Sequence, residues 1–338
     1  MCIPTQSMGT RERNDSRPKY PESVFPAKTG IQNAAAVPKK KEDMSATGPK
    51  VWILAGRPKT LPAAAAPVIM GTALAWGDAL PHWPSALCAL LGAILIQVGT
   101  NYANDYFDFA KGTDTAERIG PTRATQAGLV SPTAMLIAMV LAFGLALVPG
   151  AYLIYRGGIP ILVVGVLAIA CGVLYTGGPY PLGYLGIADI FVVVFFGPVA
   201  VAGTYYVQTQ DFDMLPVIAG LSPGLFSMAI LTVNNLRDVV GDGKTGKRTL
   251  AVRFGPTFAK MEYLLSILVA ALAVPIYLVW VHRDHWWALA SCLTLIAALP
   301  SCWKVVAGRG GPALNETLAT TGKLLLLFSI LFSVGWLL

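Results

Sequence analysis

The chain has 338 residues, of which 55% are hydrophobic and 13% charged, with a mean hydropathy of +0.60. Soluble domains carry about 25% charged residues. A chain with about half that share cannot clothe a water-facing surface, which excludes a single soluble domain, a disordered protein and a secreted disulfide scaffold. The 25 Lys+Arg against 18 Asp+Glu give a net charge of +7, which in a membrane protein reports orientation first.

Residues 1–50 are polar, with nine basic and five acidic residues and the run Lys39-Lys40-Lys41. They lack the apolar core of a signal peptide, and their acids argue against an organellar transit peptide. This stretch is expected to be a disordered tail, and residues 51–338 a membrane domain. The pattern predicts nine helical spans at about 61–78, 84–104, 132–155, 158–176, 186–206, 214–236, 257–281, 285–303 and 318–338. Each matches a hydrocarbon core about 30 Å thick. Pro62, Pro84, Pro132 and Pro216 stand near predicted starts. Pro198 and Pro275 fall inside spans and should distort them. Cys2, Cys88, Cys171, Cys292 and Cys302 form no CxxC pair and read as small hydrophobes.

With the N-terminus inside, the inner segments are the tail, 105–131, 177–185, 237–256 and 304–317. These and the flanking helix ends hold 23 of the 25 Lys+Arg; only Arg156 and Arg283 fall outside. The asymmetry predicts a cytoplasmic N-terminus and an odd number of spans. The +7 is therefore a topology signal, and nothing else in the chain suggests nucleic acid.

Thirteen Asp+Glu lie beyond the tail, and six of them fall in two inner segments. Asp105, Asp108, Asp114 and Glu117 follow the second span; Asp238 and Asp242 follow the sixth. Asn104 and Asp108 are i, i+4, and Asn234, Asp238 and Asp242 are i, i+4, i+8, so each set shares one helix face. Asn-xxx-Asp thus occurs twice, 130 residues apart. Two such ends on one membrane side make a negative pocket that repels itself without a cation. With Mg²⁺ it becomes a diphosphate site, because Mg²⁺ favours one or two carboxylates plus phosphate oxygens. Lys111, Arg118, Arg123, Arg237, Lys244, Lys247, Arg248 and Arg253 stand beside the two clusters and can help clamp a diphosphate.

The stretches 101–114 and 234–242 resemble the two Asp-rich motifs of the UbiA-type intramembrane prenyltransferases. Residues 57–62, 118–123, 174–178 and 246–253 resemble most closely the branch that prenylates 1,4-dihydroxy-2-naphthoate in the menaquinone pathway. The resemblance spans about residues 51–338. It implies an all-α bundle of nine transmembrane helices around a central cavity, and Mg²⁺-dependent transfer of a polyprenyl group from polyprenyl diphosphate to the naphthoate with loss of CO₂, giving demethylmenaquinol. It also implies an integral protein of the bacterial plasma membrane with its active site facing the cytoplasm. Residue by residue, it assigns Asp108, Asp238, Asp242 and Asp189 to catalysis. Asn104, Asp105, Asp108, Asp114, Asp238 and Asp242 become metal ligands. Substrate binding falls to Asn104, Asn234, Lys111, Arg123, Tyr175, Arg237, Lys247 and Arg57. Where many relatives carry a third Asp in the first motif, this chain has Gly112, and Asp114 is the next acid.

Tyr102, Tyr106, Tyr175, Tyr180 and Tyr184 lie near the inner side and are candidates to stabilise an allylic cation, or to anchor at the headgroups. His82, His282 and His285 all fall on the predicted outer side, so none can serve an inner pocket. A ring proton would pass to water, to a carboxylate such as Asp189, or to the diphosphate. Two other readings stay open: a different aromatic acceptor (4-hydroxybenzoate, homogentisate or haem), and an ion-coupled transporter, against which stands the placing of both motifs at one membrane face.

Overall fold

The computed structural model describes residues 48–78, 81–113, 119–308 and 311–338. Most of the predicted tail, Asp114, Glu117 and Arg118 lie outside the described residues, which are helices and connecting turns with no strand. A short helix α1 (Pro49–Gly56) leads through a 3₁₀ turn into α2 (Leu61–Asp78). Then follow α3 (Trp83–Ala110), α4 (Pro132–Leu174), α5 (Ala188–Thr209), α6 (Met214–Lys244), α7 (Leu250–Val281), α8 (Trp286–Val306) and α9 (Pro312–Leu337). Eight stretches among the described residues are long and apolar enough to cross a membrane. One of them, α4, is 43 residues long and breaks at Gly158, where φ 68 and ψ −153 suit only glycine. The break divides it into two helical pieces, so the eight stretches come close to the nine spans predicted.

The distortions expected at prolines are present. Pro198 lies in a wide turn over Phe195–Val199, and Pro275 follows another over Val269–Ala273. A proline lacks the N–H and collides with the carbonyl four residues back, so the preceding turn widens. Around the first of these turns α5 and α6 touch backbone to backbone. A Cβ on Gly224 would stand 2.4 Å from the Val193 carbonyl oxygen, as close packing by small residues in lipid requires.

Two features differ from the sequence expectation. First, α1 was not among the predicted spans. It is too short to cross a bilayer, but its Val51 and Ala55 pack on Ala124, Val130 and Met135, and the Tyr102 hydroxyl donates to the Trp52 carbonyl at 3.2 Å. Second, α3 and α6 run to Ala110 and Lys244, past the predicted ends at 104 and 236. Their polar last turns remain helical with each carboxylate answered by a cation or an amide.

The main core gathers α2, α5, α6, α7, α8 and α9 around Met70, Leu74, Phe226, Tyr263, Ile267 and Phe328. Phe328, Phe332 and Trp336 stack in series along α9, with ring centres 6.1 and 5.5 Å apart. At the end of α9 the His285 ring stacks on Trp336 at 3.9 Å, and Trp76 meets Trp83 at 5.8 Å. All three histidines thus sit at one end of the bundle. The turns after α3, α4 and α6 meet at the other: Lys111 donates to the Thr176 carbonyl (2.6 Å), the Arg248 amide to Tyr184 (2.9 Å), and Arg237 to Asn315 (2.8 Å).

Candidate active site

The last two turns of α3 carry the first acidic motif. Asp108 is 1% exposed and fully engaged. Its Oδ2 accepts from Arg123 Nη2 at 3.1 Å. Its Oδ1 accepts from the Tyr184 hydroxyl at 2.8 Å, Thr113 Oγ1 at 3.2 Å and Lys247 Nζ at 3.3 Å. A buried carboxylate persists only with such partners. Asn104, one turn deeper, accepts from Thr176 Oγ1 at 2.9 Å. Asp105 points elsewhere. Its two oxygens accept from the amides of Ala124 and Thr125, both at 3.0 Å, and it does not line the cavity described below. A carboxylate taking two backbone N–H bonds is an anchor. Asp105 holds the loop that aims Arg123 at Asp108, so the geometry does not support the expected metal-ligand role. The reason lies in the helix: one residue past Asn104 is a rotation of about 100°.

Along α6, Asn234, Asp238 and Asp242 form the expected stripe and face the same cavity as Asn104 and Asp108. Arg237 stands behind the stripe, off the cavity wall and 4% exposed. It forks onto Asp238 at 2.8 and 2.5 Å, donates to Asn234 Oδ1 at 2.7 Å, and ties the motif to Asn315 on α9. It braces the second motif from the side away from the cavity. Lys247 links the two motifs, 3.3 Å from Asp108 and 4.0 Å from Asp242.

Tyr184 does more than its place among the candidate tyrosines implied. Two ammonium groups stand over its ring, Lys111 at 5.0 Å and Lys247 at 4.8 Å from the centre, while its hydroxyl holds Asp108. Lys111 itself is spent on the carbonyls of Thr176 and Gly178 (2.6 and 3.0 Å) and does not line the cavity. Burial lowers its pKa, Asp108 opposes that shift, and Lys247 adds to it. Tyr175 lines the cavity; burial raises its phenol, with the carboxylates of Asp189, Asp108 and Asp242 adding and Arg57 opposing. Asp189 is 3% exposed, off the wall, and one turn before Val192, which is on it. Among the described residues no side chain hydrogen-bonds Asp189. Tyr102, Tyr106 and Tyr180 stay off the wall.

The polar cavity, about 200 Å³, adjoins an apolar one of about 460 Å³. Ala63, Gln97, Thr100, Tyr175, Val192 and Phe196 belong to both walls. The apolar cavity runs between α2, α3, α4 and α5 as far as Ile154, Ile161 and Val207. Among the described residues no three His, Cys, Asp or Glu side chains cage an ion by themselves. That donor set, two carboxylate-bearing walls facing across a polar space, suits Mg²⁺ shared with phosphate oxygens.

Residues 64–321 match the UbiA prenyltransferase family. A 1,4-dihydroxy-2-naphthoate octaprenyltransferase of Mycobacterium tuberculosis is 37% identical over 280 residues, covering 82% of this chain and 94% of its own. The chain belongs to the UbiA prenyltransferase family. Solved structures agree on the fold. A UbiA homolog from Aeropyrum pernix K1 superposes with a TM-score of 0.62 at 16% identity, over 81% of this chain and 96% of that one. A UbiA homolog from Archaeoglobus fulgidus bound to DMAPP and Mg²⁺ gives 0.53 at 12% identity, over 84% and 99%.

Proposed function

We propose that this UbiA-family protein transfers a polyprenyl group from polyprenyl diphosphate to 1,4-dihydroxy-2-naphthoate, releasing diphosphate and CO₂ and leaving demethylmenaquinol. The observation that carries this reading is the joined pair of cavities: both Asn-xxx-Asp stripes face a polar chamber that continues into an apolar one. A diphosphate with a long hydrocarbon tail needs that combination, and an ion-coupled transporter does not. The name of the 37%-identical relative supports the naphthoate as acceptor.

Asp108, Asp238 and Asp242, helped by Asn104 and Asn234, would hold Mg²⁺ with the diphosphate. Bound there, Mg²⁺ supplies positive charge against which the leaving diphosphate's negative charge can grow. Arg123 and Lys247 add fixed positive charge at the same place. The prenyl C1–O bond breaks with its electron pair on the diphosphate, and an electron pair of the ring forms the new C–C bond. The ring–carboxylate bond then breaks, and its pair restores aromaticity as CO₂ departs. Overall no proton is released, so the transformation needs no proton sink, and Asp189 is given no step. Tyr175, at the junction of the cavities, presents a ring to the allylic cation. The weight of Lys and Arg at this end of the bundle supports a site facing the cytoplasm in a bacterial plasma membrane.

The test is Mg²⁺ dependence. With both substrates present, turnover should require added Mg²⁺ and stop with chelator; turnover that persists in excess chelator would contradict the assignment of the two acidic stripes.

A further inference from the structure

By sequence, Arg253 is one of the cations that could clamp a diphosphate. It stands in the first turn of α7, exposed to solvent, and does not line the polar cavity. Its guanidinium joins two loops instead. Nη2 donates to the Leu185 carbonyl at 2.7 Å, in the loop from α4 to α5, and Nε donates to the Arg248 carbonyl at 3.1 Å, in the loop from α6 to α7. Across the same seam the Arg248 amide donates to the Tyr184 carbonyl at 2.9 Å. Gly186 lets the loops come this close. It adopts φ 67, and a Cβ there would stand 2.5 Å from the Arg248 carbonyl oxygen and 3.3 Å from Arg253 Nε.

Both loops face the polar cavity on their other side. Gly183 and Tyr184 of the first line it, as do Lys247 and Thr249 of the second. The Tyr184 hydroxyl and the Lys247 ammonium meet at Asp108 Oδ1, at 2.8 and 3.3 Å. The Gly183 amide donates to the Tyr175 carbonyl at 2.9 Å. Arg253 is itself fixed at the helix start: its amide donates to the Thr249 carbonyl at 2.9 Å, and Thr249 Oγ1 accepts from the Val252 amide at 3.3 Å. One exposed guanidinium thus stands behind three residues of the cavity wall, Tyr175, Tyr184 and Lys247.

We propose that Arg253 is a positioning residue: from outside the cavity it clasps the two loops into one roof, which sets Tyr184 and Lys247 on Asp108 and keeps water from the prenyl cation. The inference rests on the prenyl-transfer reading above. A guanidinium is a rigid fork that holds two carbonyls in one geometry, whereas a lysine ammonium is a point charge on a flexible stem. Closing a site protects reactive intermediates from hydrolysis, so a parted roof opens a side reaction. After the C1–O bond has broken with its pair on the diphosphate, a water oxygen gives an electron pair to the prenyl C1 and its proton goes to bulk water. The products are prenyl alcohol and diphosphate, with the naphthoate untouched and no CO₂ released.

The experiment uses the full chain in detergent with Mg²⁺, a polyprenyl diphosphate and 1,4-dihydroxy-2-naphthoate, comparing the parent with Arg253→Gln, Arg253→Lys and Gly186→Ala. A small misplacement far from the chemistry can cost about 100-fold in rate. Arg253→Gln should lower kcat by about tenfold or more, raise KM for the diphosphate, and leave KM for the naphthoate unchanged. The ratio of prenyl alcohol to prenylated product should rise by about tenfold, while the melting temperature hardly moves because the side chain is exposed. Arg253→Lys keeps the charge without the fork and should lose as much; Gly186→Ala should part the loops and give the same pattern. In a Lys247→Met background, Arg253→Gln should raise KM for the diphosphate no further. Full rescue by lysine would make Arg253 a remote charge, and an unchanged alcohol ratio would leave it a surface residue; either overturns the clasp. Should the parent turn over no prenyl diphosphate, the prenyl-transfer reading falls, and titration with inorganic diphosphate and Mg²⁺ still judges Arg253: weaker binding in Arg253→Gln supports the clasp, equal binding overturns it.

Discussion

At the scale of single residues, Asp108 concentrates the site's chemistry. One carboxylate meets an arginine, a lysine, a phenol and a hydroxyl. Asp108→Asn should lower kcat about 10²–10³-fold, and Asp238→Asn should do likewise; steady-state kinetics at saturating Mg²⁺ is the measurement. Full activity in either variant would remove that carboxylate from the site. Tyr184 gives a finer test. Tyr184→Phe deletes the 2.8 Å bond to Asp108 but keeps the ring against Lys111 and Lys247. A hydrogen bond to a charged group is worth about 1.5–3 kcal/mol, so kcat/KM should fall by about tenfold to a hundredfold. Tyr184→Leu should cost more, because both cation–π contacts go as well. Equal losses in the two variants would mean that the ring is passive.

The stripe Asn234, Asp238, Asp242 and the pair Asn104, Asp108 were legible from i, i+4 spacing, because that geometry is local. Roles set by non-local partners were not. Arg237 stood beside the second motif in the chain and reads as a ligand clamp, yet Asn315, 78 residues away, helps hold it behind the motif. Tyr184 acquires its place through Asp108, 76 residues earlier, and nothing in its neighbourhood signals that.

At the scale of elements, Asp105 ties helix to loop. Asp105→Ala removes the acceptor for two buried amides, each costing about 1–3 kcal/mol when left unmet. Asp105→Ala should lower the melting temperature in detergent, reduce turnover through a misplaced Arg123, and leave the half-saturating Mg²⁺ concentration unchanged. A shifted Mg²⁺ requirement with normal melting would instead make Asp105 a ligand. The apolar cavity gives a second test. Cβ atoms on Gly150 and Gly203 would meet nothing within 4 Å, and both glycines line that cavity. Leucine at either position should therefore be tolerated and even gain about 0.5–1 kcal/mol of helix propensity, while filling the space for the hydrocarbon. Competition between short and long prenyl diphosphates should swing toward the short donor; an unchanged ratio would mean that the chain lies elsewhere.

Span positions came through well from hydropathy, and so did the proline distortions, since both follow from composition over one helix. The missed α1 and the early ends assigned to α3 and α6 share one cause. Hydropathy locates where a helix leaves lipid, whereas α1 is set by burial against other elements and the ends of α3 and α6 by the partners of their carboxylates.

At the scale of the whole molecule, charge is sorted by end. The loops expected inside meet at one end of the bundle around the acidic stripes, and tryptophan and histidine gather at the other. An 87%-uncharged chain can hold this arrangement only because its few carboxylates are concentrated where cations answer them. The central claim is that this end of the bundle joins a polyprenyl diphosphate to a carboxylated naphthalenediol. Its most direct measurement is an incubation of the purified protein with 1,4-dihydroxy-2-naphthoate, a polyprenyl diphosphate and Mg²⁺, scored for product, diphosphate and CO₂. The account predicts prenylated naphthoquinol, diphosphate and CO₂ in equal amounts; diphosphate release without prenylated product, or no turnover at all, would contradict it.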